Sequence, residues 1–180
     1  MRDPDATRRR ILDAATSEFA ESGFGGGRVQ RIAEAARVSQ RMIYVYYGDK
    51  EGLFDAVLEH HILASQQAVG FDPADLPGYA QKVFDFYREH PHFVRLTLWQ
   101  HLERPELMRS LPAVVEAVAG KIDGIAAEQR AGRIRDDLPA SRLLDHILAL
   151  TTGNLANPNT WSDAERDALG RDVALLAGPR

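Results

Sequence analysis

The stretch VQRIAEAARVSQRMIYVYY, residues 29–47, is the part of the chain whose reading decides the fold. Val29, Ile32, Ala33 and Ala36 recur at i, i+3, i+4 and i+7, the spacing that lines one face of a two-turn helix. Arg37-Val38-Ser39 breaks that spacing, and Ser39 is a good N-cap for a second short helix through Tyr47, which Gly48 closes. Two short helices joined by a three-residue turn make a helix-turn-helix if Ala33, Val38 and Ile43 pack the joint. The second helix then turns Gln40, Arg41 and Met42 to solvent, free to enter a major groove. A plain helical hairpin inside a bundle satisfies the same periodicity.

Outward from this stretch the helical period continues almost everywhere, and no alternating β-branched run bounded by turn residues occurs. Ile11, Leu12, Ala15 and Phe19 mark a first helix, opened by Pro4, Asp5 and Thr7 and stopped by Gly23. Asp49 caps a fourth helix carrying Leu53, Phe54, Val57, Leu58 and Ile62. After the loop FDPADLPG come Tyr79 to Tyr87, interrupted by Pro91, then Phe93 to Leu102, then Val114 to Arg130 beyond Pro105 and Pro112. Pro139 precedes a helix with Leu143, Leu144, Ile147, Leu148 and Leu150; Asn157-Pro158-Asn159 is a turn; Ser162 or Asp163 caps a last helix ending near Ala177. The expected fold is all-α with about nine helices.

Composition narrows the function. The 180 residues are 44% hydrophobic and 27% charged, the balance of a folded, water-soluble chain. The absence of cysteine excludes disulfides, thiolate metal sites and cysteine nucleophiles. No apolar run approaches the length of a membrane span or of a signal peptide, so a cytoplasmic protein without a membrane partner is expected. The net charge of −4 is unevenly spread: residues 1–50 hold nine Arg and Lys against seven Asp and Glu, so a polyanion should meet the amino-terminal end.

The residues TRRRILDAATSEFAESGF and VQRIAEAARVSQRMIYVYYGDKEGLF, spanning 7–54, resemble the TetR-type transcriptional regulators. The anchors are Gly23-Phe24, Ile32-Ala33, Val38-Ser39, Tyr44, Tyr46-Tyr47, Lys50-Glu51 and Leu53. The resemblance implies a three-helix DNA-binding head, residues 1–48, and a helical ligand-binding and dimerisation body, residues 49–180. It implies a dimeric regulator, most simply a repressor on a palindromic double-stranded operator, released by a small-molecule effector. Gln40 and Arg41 suit adenine and guanine edges, with Ser39 beside them, and Met42 suits a thymine methyl. By resemblance Tyr44 and Lys50 contact phosphates, with Gln30 a lesser candidate; Tyr46 fits DNA contact and core packing equally. Three positions depart from the family. Arg28 replaces Thr, passing the N-cap to Gly27 and gaining a chance at a phosphate. Arg37 replaces Gly, at a cost of about 1 kcal/mol if the turn stays left-handed. Tyr47 replaces Phe and needs a partner for its hydroxyl.

In the body, Phe84, Tyr87, Phe93, Trp99 and His146 are the expected lining of an effector pocket for a small apolar or aromatic molecule. Leu143, Ile147, Leu150, Leu169, Val173 and Leu176 are the expected homodimer interface, exceeding what a monomer of this length would readily hide. Other patterns carry nothing. Gly25-Gly26-Gly27 follows no strand, and Gly120-Lys121 lacks the upstream glycine of a phosphate loop. His60-His61 and His90-Pro91-His92 lack metal-ligand spacing, so no metal, cofactor or catalytic residue is expected. The competing class is a helical carrier or enzyme that has lost DNA binding.

Overall fold

The computed structural model of the chain describes residues 4–153 and 161–178, with the backbone alone at residues 108 and 109. Every regular element among them is a helix: α1 (Pro4–Gly26), α2 (Val29–Ala36), α3 (Gln40–Tyr47), α4 (Lys50–Ala68), α5 (Leu76–Glu89), α6 (Pro91–Glu103), α7 (Leu107–Ser110), α8 (Pro112–Arg130), α9 (Ala140–Thr152) and α10 (Asp163–Ala177). The all-α expectation is met, with nine helices of eight or more residues and the single turn α7. The expected turn at Asn157-Pro158-Asn159 lies outside the described residues. Pro91 and Pro112, which read as interruptions, are the first residues of α6 and α8, where a missing N–H leaves no bond unmade. Among the described residues no helix is long and apolar enough to cross a membrane.

The chain divides into two compact units, Met1–Leu63 with Pro91–Leu111, and Ala64–His90 with Pro112–Arg180. This division falls within α4 and brings α6 into the first unit, so it is a different cut from a boundary after residue 48. In the first unit Ile11, Ala15, Phe19, Ile32, Ile43, Leu53 and Phe54 are wholly buried, and the Phe19 ring meets Phe54 edge-on at 5.1 Å. Burying each of the Ile, Leu and Phe side chains is worth about 1.5–3 kcal/mol, which is what holds α1, α2, α3 and the start of α4 together. α6 lies along α1: Trp99 Nε1 donates to the Ala20 carbonyl at 3.3 Å and Arg95 Nε donates to the same oxygen at 2.6 Å. Gly23, expected to end the first helix, breaks it (φ 72, ψ 178), and one further turn follows to Gly26. A Cβ on Gly23 would stand 2.9 Å from the Trp99 ring, so both conformation and space demand glycine.

In the second unit α5 packs on α10 and α9, and α8 on α9. Phe84, Leu143, Ile147 and Val173 are wholly buried and Leu169 nearly so. Arg166 Nε donates to Asp85 Oδ2 at 2.7 Å, and Arg88 reaches Asp163 Oδ1 at 2.7 Å, tying α5 to the start of α10.

Candidate nucleic-acid interface

The helix-turn-helix is built by local chemistry. α2 ends in a Schellman motif: Arg37 N–H donates to the Glu34 carbonyl at 3.1 Å and Val38 N–H to the Ala33 carbonyl at 3.0 Å. Arg37 takes the left-handed position (φ 54, ψ 46), the only non-glycine with positive φ among the described residues. Ser39 caps α3, its Oγ accepting from Met42 N–H at 3.3 Å. Gly48 closes α3 at φ 80, and Asp49 Oδ1 accepts from Gly52 N–H at 2.7 Å to open α4. α2 is capped by Arg28 and not by Gly27, a correction to the sequence expectation. Gly27 N–H donates to the Gly23 carbonyl at 3.1 Å, and a Cβ there would lie 2.6 Å from Phe19. Arg28 contributes only extended backbone to the cap; its N–H donates to Glu18 Oε1 at 2.8 Å, leaving the guanidinium in solvent.

Ile43 is wholly buried and therefore orients α3, turning Gln40, Arg41, Tyr44 and Val45 outward. Tyr44 is 45% and Val45 74% exposed. Met42 is only half-exposed, on the side of the turn. Val45 escaped the sequence reading because a lone β-branched residue reads as packing; its signal was its place one turn after Arg41. Gln30 Nε2 donates to Glu34 Oε1 at 3.0 Å along the exposed side of α2. Tyr46 is half-buried, with the Arg8 guanidinium 5.6 Å from its ring centre. Tyr47 finds the partner it required, donating to the Arg8 carbonyl at 3.4 Å, and burial pushes its phenol above the ordinary range. Lys50 Nζ donates to the Gly25 carbonyl at 3.2 Å and sits 4.9 Å from the Phe24 ring centre, so its ammonium is already held at the end of α1. Arg104 lies 5.2 Å from that same ring and pairs with Asp55 Oδ1 at 2.7 Å. Burial lifts the Asp55 carboxyl above its usual range, with Arg104 opposing the rise.

The expected effector residues fall in both units. Phe84 and Tyr87 flank Trp161, at 4.7 and 6.4 Å between ring centres, and burial pushes the Tyr87 phenol up to about 12. His146 is half-exposed on α9. Phe93 and Trp99 belong to the first unit, where Phe93 lies 6.0 Å from the His61 ring and Trp99 is bonded to α1. Sequence reasoning missed Trp161, which precedes α10 and breaks no period. It also missed a polar pair in the second unit: Lys121 Nζ donates to Tyr79 Oη at 2.9 Å, and desolvation lowers the lysine's pKa. His60 and His61 rings are 5.4 Å apart, but no group of three metal-ligating side chains is found among the described residues.

Of the expected dimer stripe, Leu143, Ile147, Leu169 and Val173 are buried in the single chain, where α5 packs on both α9 and α10. Leu150, 40% exposed, and the half-exposed Leu176 remain outside, joined by Leu175 at 81%.

Two family patterns match this chain: bacterial regulatory proteins of the tetR family over residues 11–57, and the tetracyclin repressor-like C-terminal domain over residues 75–175. The HTH-type transcriptional repressor SCO4008 of Streptomyces coelicolor is 37% identical over 160 residues, 87% of this chain and 82% of the relative. The HTH-type transcriptional repressor NicS of Pseudomonas putida is 36% identical over 172 residues, 88% and 80% of the two chains. The crystal structure of SCO4942 from Streptomyces coelicolor superposes with a TM-score of 0.83 at 34% identity, covering 97% of this chain and 99% of that one.

Proposed function

The chain belongs to the TetR family of bacterial regulatory proteins, and from that premise we propose that it is a cytoplasmic repressor, a homodimer that grips a palindromic operator and releases it when a small apolar or aromatic effector binds. As a member of the family it is a DNA-binding transcriptional regulator and not an enzyme. The proposal divides the labour between a DNA-binding head, residues 1–48, and a ligand-binding and dimerisation body, residues 49–180.

The observation that carries this reading is the outward face of α3, where Gln40, Arg41, Tyr44 and Val45 stand exposed on a helix oriented by buried Ile43 and capped by Ser39. Gln40 and Arg41 offer bidentate donors and acceptors to base edges, and Val45 and Met42 offer apolar contact to thymine methyls. Arg28, Gln30, Tyr44, Tyr46 and Lys50 are assigned to the backbone; Lys50 keeps two N–H groups beyond the one it gives to Gly25. The effector site is assigned to the second unit, to Phe84 and Tyr87 with Trp161 between them, and to His146 on α9. The dimer contact is assigned to the outer faces of α9 and α10, through Leu150, Leu175 and Leu176.

Sequencing the genomic fragments retained by the full-length chain tests the proposal. The expected fragments share an inverted repeat with half-sites separated by about one helical turn, roughly 34–36 Å, or a multiple of it. Fragments with no common repeat, retained equally at low and high salt, would refute it.

A further inference from the structure

The least economical residue in the first unit is Arg37. At φ 54 glycine carries no strain and any other residue does, yet the chain places there an exposed arginine whose side chain makes no bond among the described residues. Nothing inside the fold explains it. Arg37 instead lines a cavity of about 580 Å3 between the start of α1 and the α2–α3 turn, together with Thr7, Arg10, Val38, Ser39 and Met42. Arg10 lines the α1 side, its guanidinium donating only a long 3.4 Å hydrogen bond to Thr7 Oγ1 among the described residues. Neither arginine forms an ion pair among the described residues, so two arginines line one polar notch and no carboxylate pairs with either. An anion in the notch would be within the same cleft as both cations, and the fork of a guanidinium matches the oxygens of a phosphate. The notch opens beside Ser39 at the start of α3, on the element whose outer face is assigned to the major groove.

We propose that Arg10 and Arg37 form a clamp for one phosphate of the DNA backbone, a contact separate from the base-reading face of α3. This rests on the DNA-binding reading above. The clamp fixes where the turn sits on the backbone, and so the depth at which Gln40 and Arg41 meet the bases, while carrying no sequence preference itself.

The test uses full-length wild type, Arg37→Gly, Arg37→Lys and Arg10→Gln, titrated over a salt series with a duplex recovered by the wild type and with a scrambled duplex. Arg37→Gly cannot fail through misfolding, because glycine suits the turn. Its melting temperature should equal or exceed that of wild type. It should nevertheless bind both duplexes about ten-fold more weakly, with the slope of log K against log salt reduced by about one. Arg10→Gln should behave alike on DNA, and Arg37→Lys should restore the slope. Unchanged affinity and slope in Arg37→Gly, with wild type binding normally, overturns the clamp alone. Failure of wild type to bind any duplex overturns the regulator reading with it. Inorganic phosphate that raises the melting temperature of wild type but not of Arg37→Gly, with duplex binding intact in both, assigns the notch to a free anion and overturns the DNA contact.

Discussion

Arg41 and Lys50 are both cations near the same groove, and their surroundings give them different work. Arg41 is exposed on α3 with no side-chain bond among the described residues, so its donors are available to a guanine edge. Arg41→Ala should cost about 1–3 kcal/mol of operator affinity and relax preference at one base pair, read by fluorescence anisotropy against single-base operator variants. Lys50 is held by the Gly25 carbonyl and the Phe24 ring. Lys50→Ala should weaken every duplex alike and flatten the salt slope by about one unit, while also slightly lowering the melting temperature. A sequence-selective defect in Lys50→Ala would reassign it to the bases.

The helices of the first unit depend on a few end and crossing points. Ser39→Ala removes the side-chain cap of an eight-residue helix, and a loss of about 1 kcal/mol in urea unfolding is expected. Gly23→Ala is harsher, since it joins a positive φ to a Cβ 2.9 Å from Trp99 where α1 and α6 meet. A loss of about 2–3 kcal/mol is expected, with Trp99 fluorescence altered in a Trp161→Phe background. At the end of α8, Arg133 hydrogen-bonds Glu128 and holds its carboxyl below the usual range. A carboxyl depressed in the folded state adds stability that is full above its unfolded pKa, about 4.3, and disappears as pH falls through the folded value. Urea midpoints of wild type and Glu128→Gln should therefore converge in acid; a difference that persists below both pKa values would mean the pair acts through packing alone.

At the scale of the whole molecule, burial separates residues that hold the unit together from residues free to meet a second copy. Val173→Glu places a charge in the core and should lower the melting temperature steeply, by about 3 kcal/mol or more of stability. Leu175→Glu lies in solvent, 81% exposed in the single chain. It should leave the circular dichroism spectrum unchanged and shift the mass by light scattering from dimer to monomer. A Leu175→Glu variant that remains a dimer would move the interface off this face of α10.

The sequence by itself determined the helix ends at Ser39, Gly48 and Asp49, which rest on local chemistry, though not the cap of α2 or the end of α1. Ser39, Gly48 and Asp49 mark ends through bonds that reach only three or four residues along the chain, and the i, i+3, i+4 spacing names the buried face of α2 without help from elsewhere. The helix-turn-helix was legible for that reason. What a buried face is buried against is a different question. An apolar stripe on α9 or α10 looks the same in sequence whether α5 or a second copy covers it, and only the fold showed that Leu143, Ile147, Leu169 and Val173 turn inward. Trp99 likewise reads as one more aromatic in the body until it is found bonded to Ala20, 79 residues away. That Arg10 and Arg37 line one notch was equally invisible. Periodicity reports that a side chain will leave water; the partner it finds there is set by long-range packing, which no local pattern records.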